Sequence, residues 1–279
     1  MTQQGNVGLE LRRAVLAVSV LDDVDISPRA AGVVLDGGPP VRLPWQVLAA
    51  AHGPGPPGDR VGHRRLSACL RLHRLVADLG ADAEHVLRQS ARLLALPADH
   101  ALHPGGRWAR HRPRGGALEL GVGVTGLLGD ADEVEPLPPS VVTAAGAQLS
   151  AWWPHLLDHA EGMGHLAVTR LRRDYHRLRP EAGAAAPDTQ AVIRPVGGVD
   201  VPTLLTTAPM RAYLSSSDGS GMRAIAAPMR SRGWYDLARI DPAFVAAAWS
   251  ATDEGERGLS RPLLVTVDEV VLAPDSRRY

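Results

Sequence analysis

Trp152-Trp153-Pro154-His155-Leu156-Leu157-Asp158-His159-Ala160-Glu161-Gly162-Met163-Gly164-His165 gathers two of the chain's six tryptophans and three of its eleven histidines into fourteen residues. The stretch opens the longest amphipathic helix expected in the sequence. Proline removes a backbone donor and clashes with the preceding turn, but it fits the first turn of a new helix. Pro154 therefore predicts a break or kink at Trp152–Pro154, with a helix running from there to about Leu178. On that helix Leu157, Ala160, Gly164, Val168, Leu171 and Tyr175 form an apolar stripe. His155 and His159 fall nearly opposite it, on a face that continues into Arg170, Arg173 and Arg177.

Toward the C-terminus, residues 180–189 (PEAGAAAPDT) have the composition of a linker. Beyond them the character is mostly β. AVIRPV and VPTLLTT read as strands, and Met210–Leu214 and Met222–Met229 read as a hairpin across Ser215–Gly221. Asp241 followed by Pro242 is an N-cap and N1 pair for the helix PAFVAAAWS. LLVTVDEVVL, from Leu263 to Leu272, is the strongest strand signal.

Toward the N-terminus, RAVLAVSVL (13–21) and AGVVL (31–35) read as paired strands. The first run is too short for a signal peptide and has no small-residue cleavage site. VRLPWQVLAAA reads as a strand end followed by a short helix. Apolar residues then recur at helical steps from His63, with Gly80 as the residue after the helix, and a second helix from Asp82 stops before Pro97. Residues 63–96 thus predict an αα-hairpin, its His73 and His85 serving packing. An irregular loop (97–116), a glycine-interrupted strand (117–126), and a helix from about Ser140 complete the centre. The fold class is α+β. Antiparallel or mixed strands lie at both ends, with the αα-hairpin and the long helix between them. The regions 1–180 and 190–279 form two domains or a single compact one.

Composition excludes several kinds of chemistry. The apolar fraction of 45% and the charged fraction of 22% are those of a folded protein. Thirty basic residues balance thirty acidic ones, so no global field draws the chain to nucleic acid. Every basic residue is arginine. Without lysine there is no Schiff base and no lysine-bearing phosphate loop. The bias is that of a high-GC bacterial genome. The single cysteine, Cys69, excludes an intramolecular disulfide and Cys-rich zinc sites. No apolar run reaches membrane-spanning length, and a cytoplasmic location is expected.

Two histidine sets invite a metal. His155 and His159, four residues apart, share one helical face, with Asp158 where the inverse zincin pattern has Glu. His100 and His103, beside Asp99, sit in the 97–116 loop with His111. Together His100, His103, His155 and His159 would bind zinc or another divalent ion for hydrolysis. The arginines beside the helical pair favour an anion instead.

Arg107, Arg110, Arg112 and Arg114, with Trp108 among them, suit a phosphate-bearing small molecule or an acidic protein surface. Gly121–Gly126 matches GxGxxG literally, but Pro136 leaves little room for the helix that fingerprint requires. Ser215–Gly221 reads as a hairpin turn, and Asp268 and Glu269 call for an arginine partner such as Arg230 or Arg232. The function expected is a non-catalytic binding or interaction protein. Its arginine-rich surfaces (Arg107–Arg114 and Arg170, Arg173, Arg177) meet an anion or acidic partner, with no cofactor. A metal-dependent hydrolase is the alternative, and metal analysis separates the two.

Overall fold

A computed structural model describes residues 3–56, 58–104, 108, 111, 115–128, 134–177, 192–217, 219–236 and 239–273. The protein is α+β, with antiparallel sheets. In chain order the elements begin α1 (Gln3–Leu21), β1 (Ile26–Arg29), β2 (Gly32–Leu35), β3 (Val41–Pro44), α2 (Trp45–His52) and α3 (Arg60–Leu79). A 3-10 turn leads to α4 (Ala83–Ser90), β4 (Ala91–Leu96), β5 (Glu119–Thr125), β6 (Val134–Pro136), α5 (Pro139–Ala144) and α6 (Leu149–Arg177). The chain continues through β7 (Val192–Ile193), α7 (Val201–Leu205), α8 (Ala208–Ser215), β8 (Met222–Met229) and β9 (Arg232–Trp234). Last come α9 (Pro242–Ala251), β10 (Leu263–Thr266) and β11 (Val270–Leu272). Two compact units emerge. The first is Met1–Ala91, Ala101–Trp108 and Gly123–Trp152, and the second is Arg92–His100, Ala109–Val122 and Trp153–Tyr279. The linker candidate at 180–189 lies outside the described residues.

In the first unit, α1 replaces the strand expected over 13–21. Ala14, Val15 and Val18 are buried while Leu16 and Val20 face solvent, a helical rather than an alternating pattern. A run apolar at nearly every position carries no period, so packing decides. The buried face joins Val33, Leu35 and Leu43 of the β1-β2-β3 meander and Leu48, Leu66 and Leu70 of α2 and α3. Asp59 caps α3, accepting from the amides of Val61 (3.3 Å) and Gly62 (3.0 Å), and Gly80 ends it at φ +53°.

The second helix of the expected hairpin stops at Ser90, and 91–96 is strand β4. Leu93, Leu94, Ala95 and Leu96 are all buried. A strand covered on both faces reads as a continuous apolar run, which sequence confuses with a buried helix.

Pro154 sits inside α6 without breaking it. The bond it forfeits falls on the carbonyl of exposed Ser150, in the first turn, where water substitutes. The two units nonetheless divide between Trp152 and Trp153. Leu156, Ala160, Gly164, Ala167, Val168 and Leu171 form the buried side of α6.

The second unit is built on a five-stranded sheet in the order β11-β10-β8-β9-β7, antiparallel throughout. The expected Asp241 cap is present, accepting from the amides of Ala243 (2.8 Å) and Phe244 (3.2 Å), and α9 packs Val245 against Ala226 and Trp234. VPTLLTT and Met210–Leu214 are helical rather than extended. The cause is the same cap-and-proline signal: Asp200 accepts from Thr203 N at 3.0 Å with Pro202 in the first turn, and Pro209 opens α8. LLVTVDEVVL is a hairpin, its turn closed by Thr266, whose hydroxyl accepts from the amides of Asp268 and Glu269. Asp268 is exposed in that turn, and Arg230 pairs instead with Asp200 at 2.9 Å.

Gly164 lets α6 approach the start of α8: a Cβ there would lie 2.9 Å from Thr207 Cβ. Gly162, two residues earlier, has open space around it. Gly164→Ala is therefore expected to lower the unfolding free energy by about 1–3 kcal/mol. Gly162→Ala should raise it by up to about 1 kcal/mol through helix propensity. Urea denaturation followed by circular dichroism measures both.

Candidate functional site: an apolar cavity in the first unit

Five segments of the first unit enclose a cavity of about 430 Å³. α2 supplies Val47 and Ala51, α3 supplies Ala68, and the segment after β4 supplies Leu102. Pro136, Pro138 and Pro139, from the end of β6 to the start of α5, form the facing wall. Prolines suit such a wall because they bring no N–H that would need an acceptor. Four lining side chains are polar: Gln46, Arg65, Glu135 and Ser140.

Glu135 is neutralised by Arg64, whose Nε donates to Oε1 at 2.7 Å and whose Nη2 donates to the same oxygen. Arg65 is placed differently. Its Nη1 donates to the carbonyls of Ala101 (2.8 Å) and His103 (3.2 Å), and its Nη2 to the carbonyl of His52. The guanidinium passes so close to Gly53, at φ +77°, that a Cβ there would overlap it. The Nε is buried and has no hydrogen-bond acceptor among the described residues. No carboxylate forms an ion pair with Arg65 among them either; Asp59, the acid whose field it feels, is engaged on the α3 amides. Burial lowers the guanidinium's pKa from its ordinary value, with Asp59 opposing in part. Arginine still stays charged.

In the cavity wall, Ser140 Oγ lies 3.1 Å from His73 Nε2 and also bonds Cys69. Burial lowers His73 to about 4 and raises Cys69 to about 12. At neutral pH the imidazole is uncharged and the thiol protonated, so Cys69 is not a nucleophile. Ser140 beside a neutral imidazole has the look of an acyl-transfer pair. The amides that would stabilise an oxyanion, Val141 N and Val142 N, are however spent on the Pro138 carbonyl at 3.0 and 3.3 Å.

The second unit has a more polar groove of about 440 Å³ between α6 and α8, where Arg172 stacks 5.6 Å over the Tyr213 ring. The arginines anticipated on α6 stand apart from its lining. Arg170 is exposed, Arg173 lies 3.7 Å from Asp174, and the side chain of Arg177 is outside the described residues. Arg107, Arg110, Arg112 and Arg114 also lie outside them.

The four histidines weighed as ligands lie in four different settings. His100 is buried in the second unit with Nε2 2.7 Å from the Arg257 carbonyl, and burial, then Arg230, lower it to about 4. His103, in the first unit, meets Trp108 edge-on at 4.9 Å. His155 is exposed on α6. His159 is half-buried rather than opposite the packed side, its Nε2 without a partner, and burial followed by Arg92 lowers its pKa. Among the described residues no three His, Cys, Asp or Glu side chains are arranged to hold a metal, so the hydrolase alternative gains no support. GxGxxG runs out of β5 into a bend rather than a helix.

Arg65 carried no sequence signal, since its partners are carbonyls at positions 52, 101 and 103. No family model, curated protein or solved structure matches the chain.

His73 makes stability depend on pH. Its folded pKa of about 4 lies below the ordinary 6.5, so only the unfolded chain takes up a proton between those values. The stabilisation is full above pH 6.5 and is lost as pH falls toward 4, at up to about 1.4 kcal/mol per pH unit. Urea denaturation at stepped pH is expected to show this slope, and His73→Gln to make it shallower.

Proposed function

We propose that this is a non-catalytic binding protein whose ligand is a small, mainly apolar molecule held in the cavity of the first unit. The observation that carries this reading is the cavity itself. Its volume of about 430 Å³ falls within the range of small-molecule sites, and apolar walls with a few convergent polar groups are their usual chemistry. The Ser140–His73 hydrogen bond and the engagement of the Val141 and Val142 amides on the Pro138 carbonyl favour binding over turnover. A cytoplasmic location belongs to the same reading, in keeping with one buried free thiol and no helix, among the described residues, long and apolar enough to cross a membrane. A second reading, an acidic partner surface on α6, has in its favour the exposed Arg170 and Arg173.

Ala68 is buried on α3 and lines the cavity, so a larger side chain there would fill it. The uncharged fluorophore 1-aminoanthracene is expected to bind the wild-type protein with enhanced emission. Ala68→Phe, checked for an unchanged far-UV spectrum, is expected to abolish that enhancement. Equal enhancement in both proteins would place the fluorophore elsewhere and remove the basis for the reading.

A further inference from the structure

The β1-β2-β3 meander buries one face in the core of the first unit and leaves the other outward. Register sets what stands on the outer face, because directly opposed residues point the same way and so do residues two apart. Arg29 lies opposite Gly32 and Gly32 opposite Pro44, while Ser27 lies opposite Val34 and Val34 opposite Arg42. Two arginines thus stand on the outer strands, diagonally across the middle one, their Cα atoms roughly 12 Å apart for ordinary strand spacing and rise. Between them β2 offers only Gly32 and Val34. A Cβ at Gly32 would run into the Leu43 carbonyl oxygen, so the floor there is bare backbone. The result is a depression of about 350 Å³ lined by both arginines with Ala31, Gly32, Val34 and Pro44.

Both arginines are exposed, so a ligand reaches them from solvent. Neither guanidinium has an ion-pair or hydrogen-bond partner among the described residues. The acid next to them in the register, Asp36, lies two residues beyond Val34 and takes the Ser27 hydroxyl at 2.5 Å, which limits the positive ground at that end. At the other end Arg12 adds to it. Its guanidinium lies 5.1 Å over the Trp45 ring, whose N–H donates to the Arg29 and Ala30 carbonyls at 3.1 Å.

We propose that this face, independently of the apolar cavity, binds a phosphate group between Arg29 and Arg42, as the free ion or on a small monoester. Two cations match a dianion in charge. A tetrahedral phosphate has acceptors on every side, so guanidiniums from opposite edges of the sheet can each engage it. A carboxylate presents one planar edge, which a single guanidinium fork satisfies. Ala31, Val34 and Pro44 give an ester's apolar substituent a surface to rest on.

The test is a ¹H–¹⁵N NMR titration with phenyl phosphate and with benzoate at pH 7.5 and low ionic strength, where exposed charges are least screened. Phenyl phosphate is expected to give saturable shifts centred on the Gly32 and Val34 amides. Benzoate should bind at least about tenfold more weakly, the scale of one charge-assisted hydrogen bond. Arg29→Gln and Arg42→Gln, both surface changes, should each weaken phenyl phosphate by a similar factor, and Arg170→Gln on α6 should not. Inorganic phosphate separates the two sources: weaker binding than phenyl phosphate assigns the monoester, and equal binding the free ion. Shifts absent or scattered over the surface would overturn the proposal. So would benzoate binding as tightly as phenyl phosphate, affinity unmoved by Arg29→Gln and Arg42→Gln, or an equal loss in Arg170→Gln.

Discussion

The first unit depends on where one guanidinium finds its acceptors. His52 is the last residue of α2, and its carbonyl is one of the orphans every helix end leaves. Arg65 donates to it from α3 and brings a positive charge to the negative end of the α2 dipole. The same group reaches the carbonyls of Ala101 and His103, holding in place the segment that contributes Leu102 to the cavity. Gly53 is required because the side chain crosses the backbone there. One side chain thus ties the end of α2 to α3 and to the segment that carries Leu102.

A second buried guanidinium shows what complete pairing looks like in this chain. Arg230 is buried in the second unit, donates to Asp200 at 2.9 Å, and reaches the Gly255 carbonyl at 3.3 Å. Asp200 in turn caps α7 through Thr203 N. Breaking such a pair by deleting one partner costs roughly 3–5 kcal/mol, because the other charge is left stranded. Arg65 carries the same charge in partial burial, donates to three carbonyls, and meets a carboxylate only through the field of Asp59, which is engaged on the α3 amides. One guanidinium thus closes an ion pair and the other ties backbone carbonyls together.

The fold class was legible because it rests on many local signals. Asp241–Pro242, Gly80 and the change of period at His63 each point to the element that forms. The misreadings share one cause: apolar runs whose period is ambiguous. Residues 13–21 and 91–96 are apolar at nearly every position, so burial on one side or on both, which is tertiary, settles helix against strand. VPTLLTT was legible in principle, since Asp200 and Pro202 repeat the cap that identifies α9, but its threonines and valine weigh toward a strand. Pro154 misleads because its effect depends on which carbonyl it orphans, and Ser150 is exposed. For the site, local density of arginine draws attention to 107–114 and 170–177. Arg65 stands in an ordinary amphipathic helix, and its significance comes from acceptors far along the chain.

The absence of lysine bears on the chemistry as well as on the composition. An ammonium offers three donors around a point, and three carbonyls would exhaust it. A guanidinium offers five donors in a plane, so Arg65 serves three backbone oxygens through its terminal nitrogens alone. Its charge does not move with pH in any physiological range, which disqualifies it from proton transfer. His73, held neutral by burial, and Cys69, held protonated, are likewise fixed in one state at neutral pH. Catalytic groups are tuned toward the working pH, where they can exchange protons. Around this cavity the tuning runs the other way: burial moves His73 down and Cys69 up, each away from neutral pH, so neither exchanges a proton there.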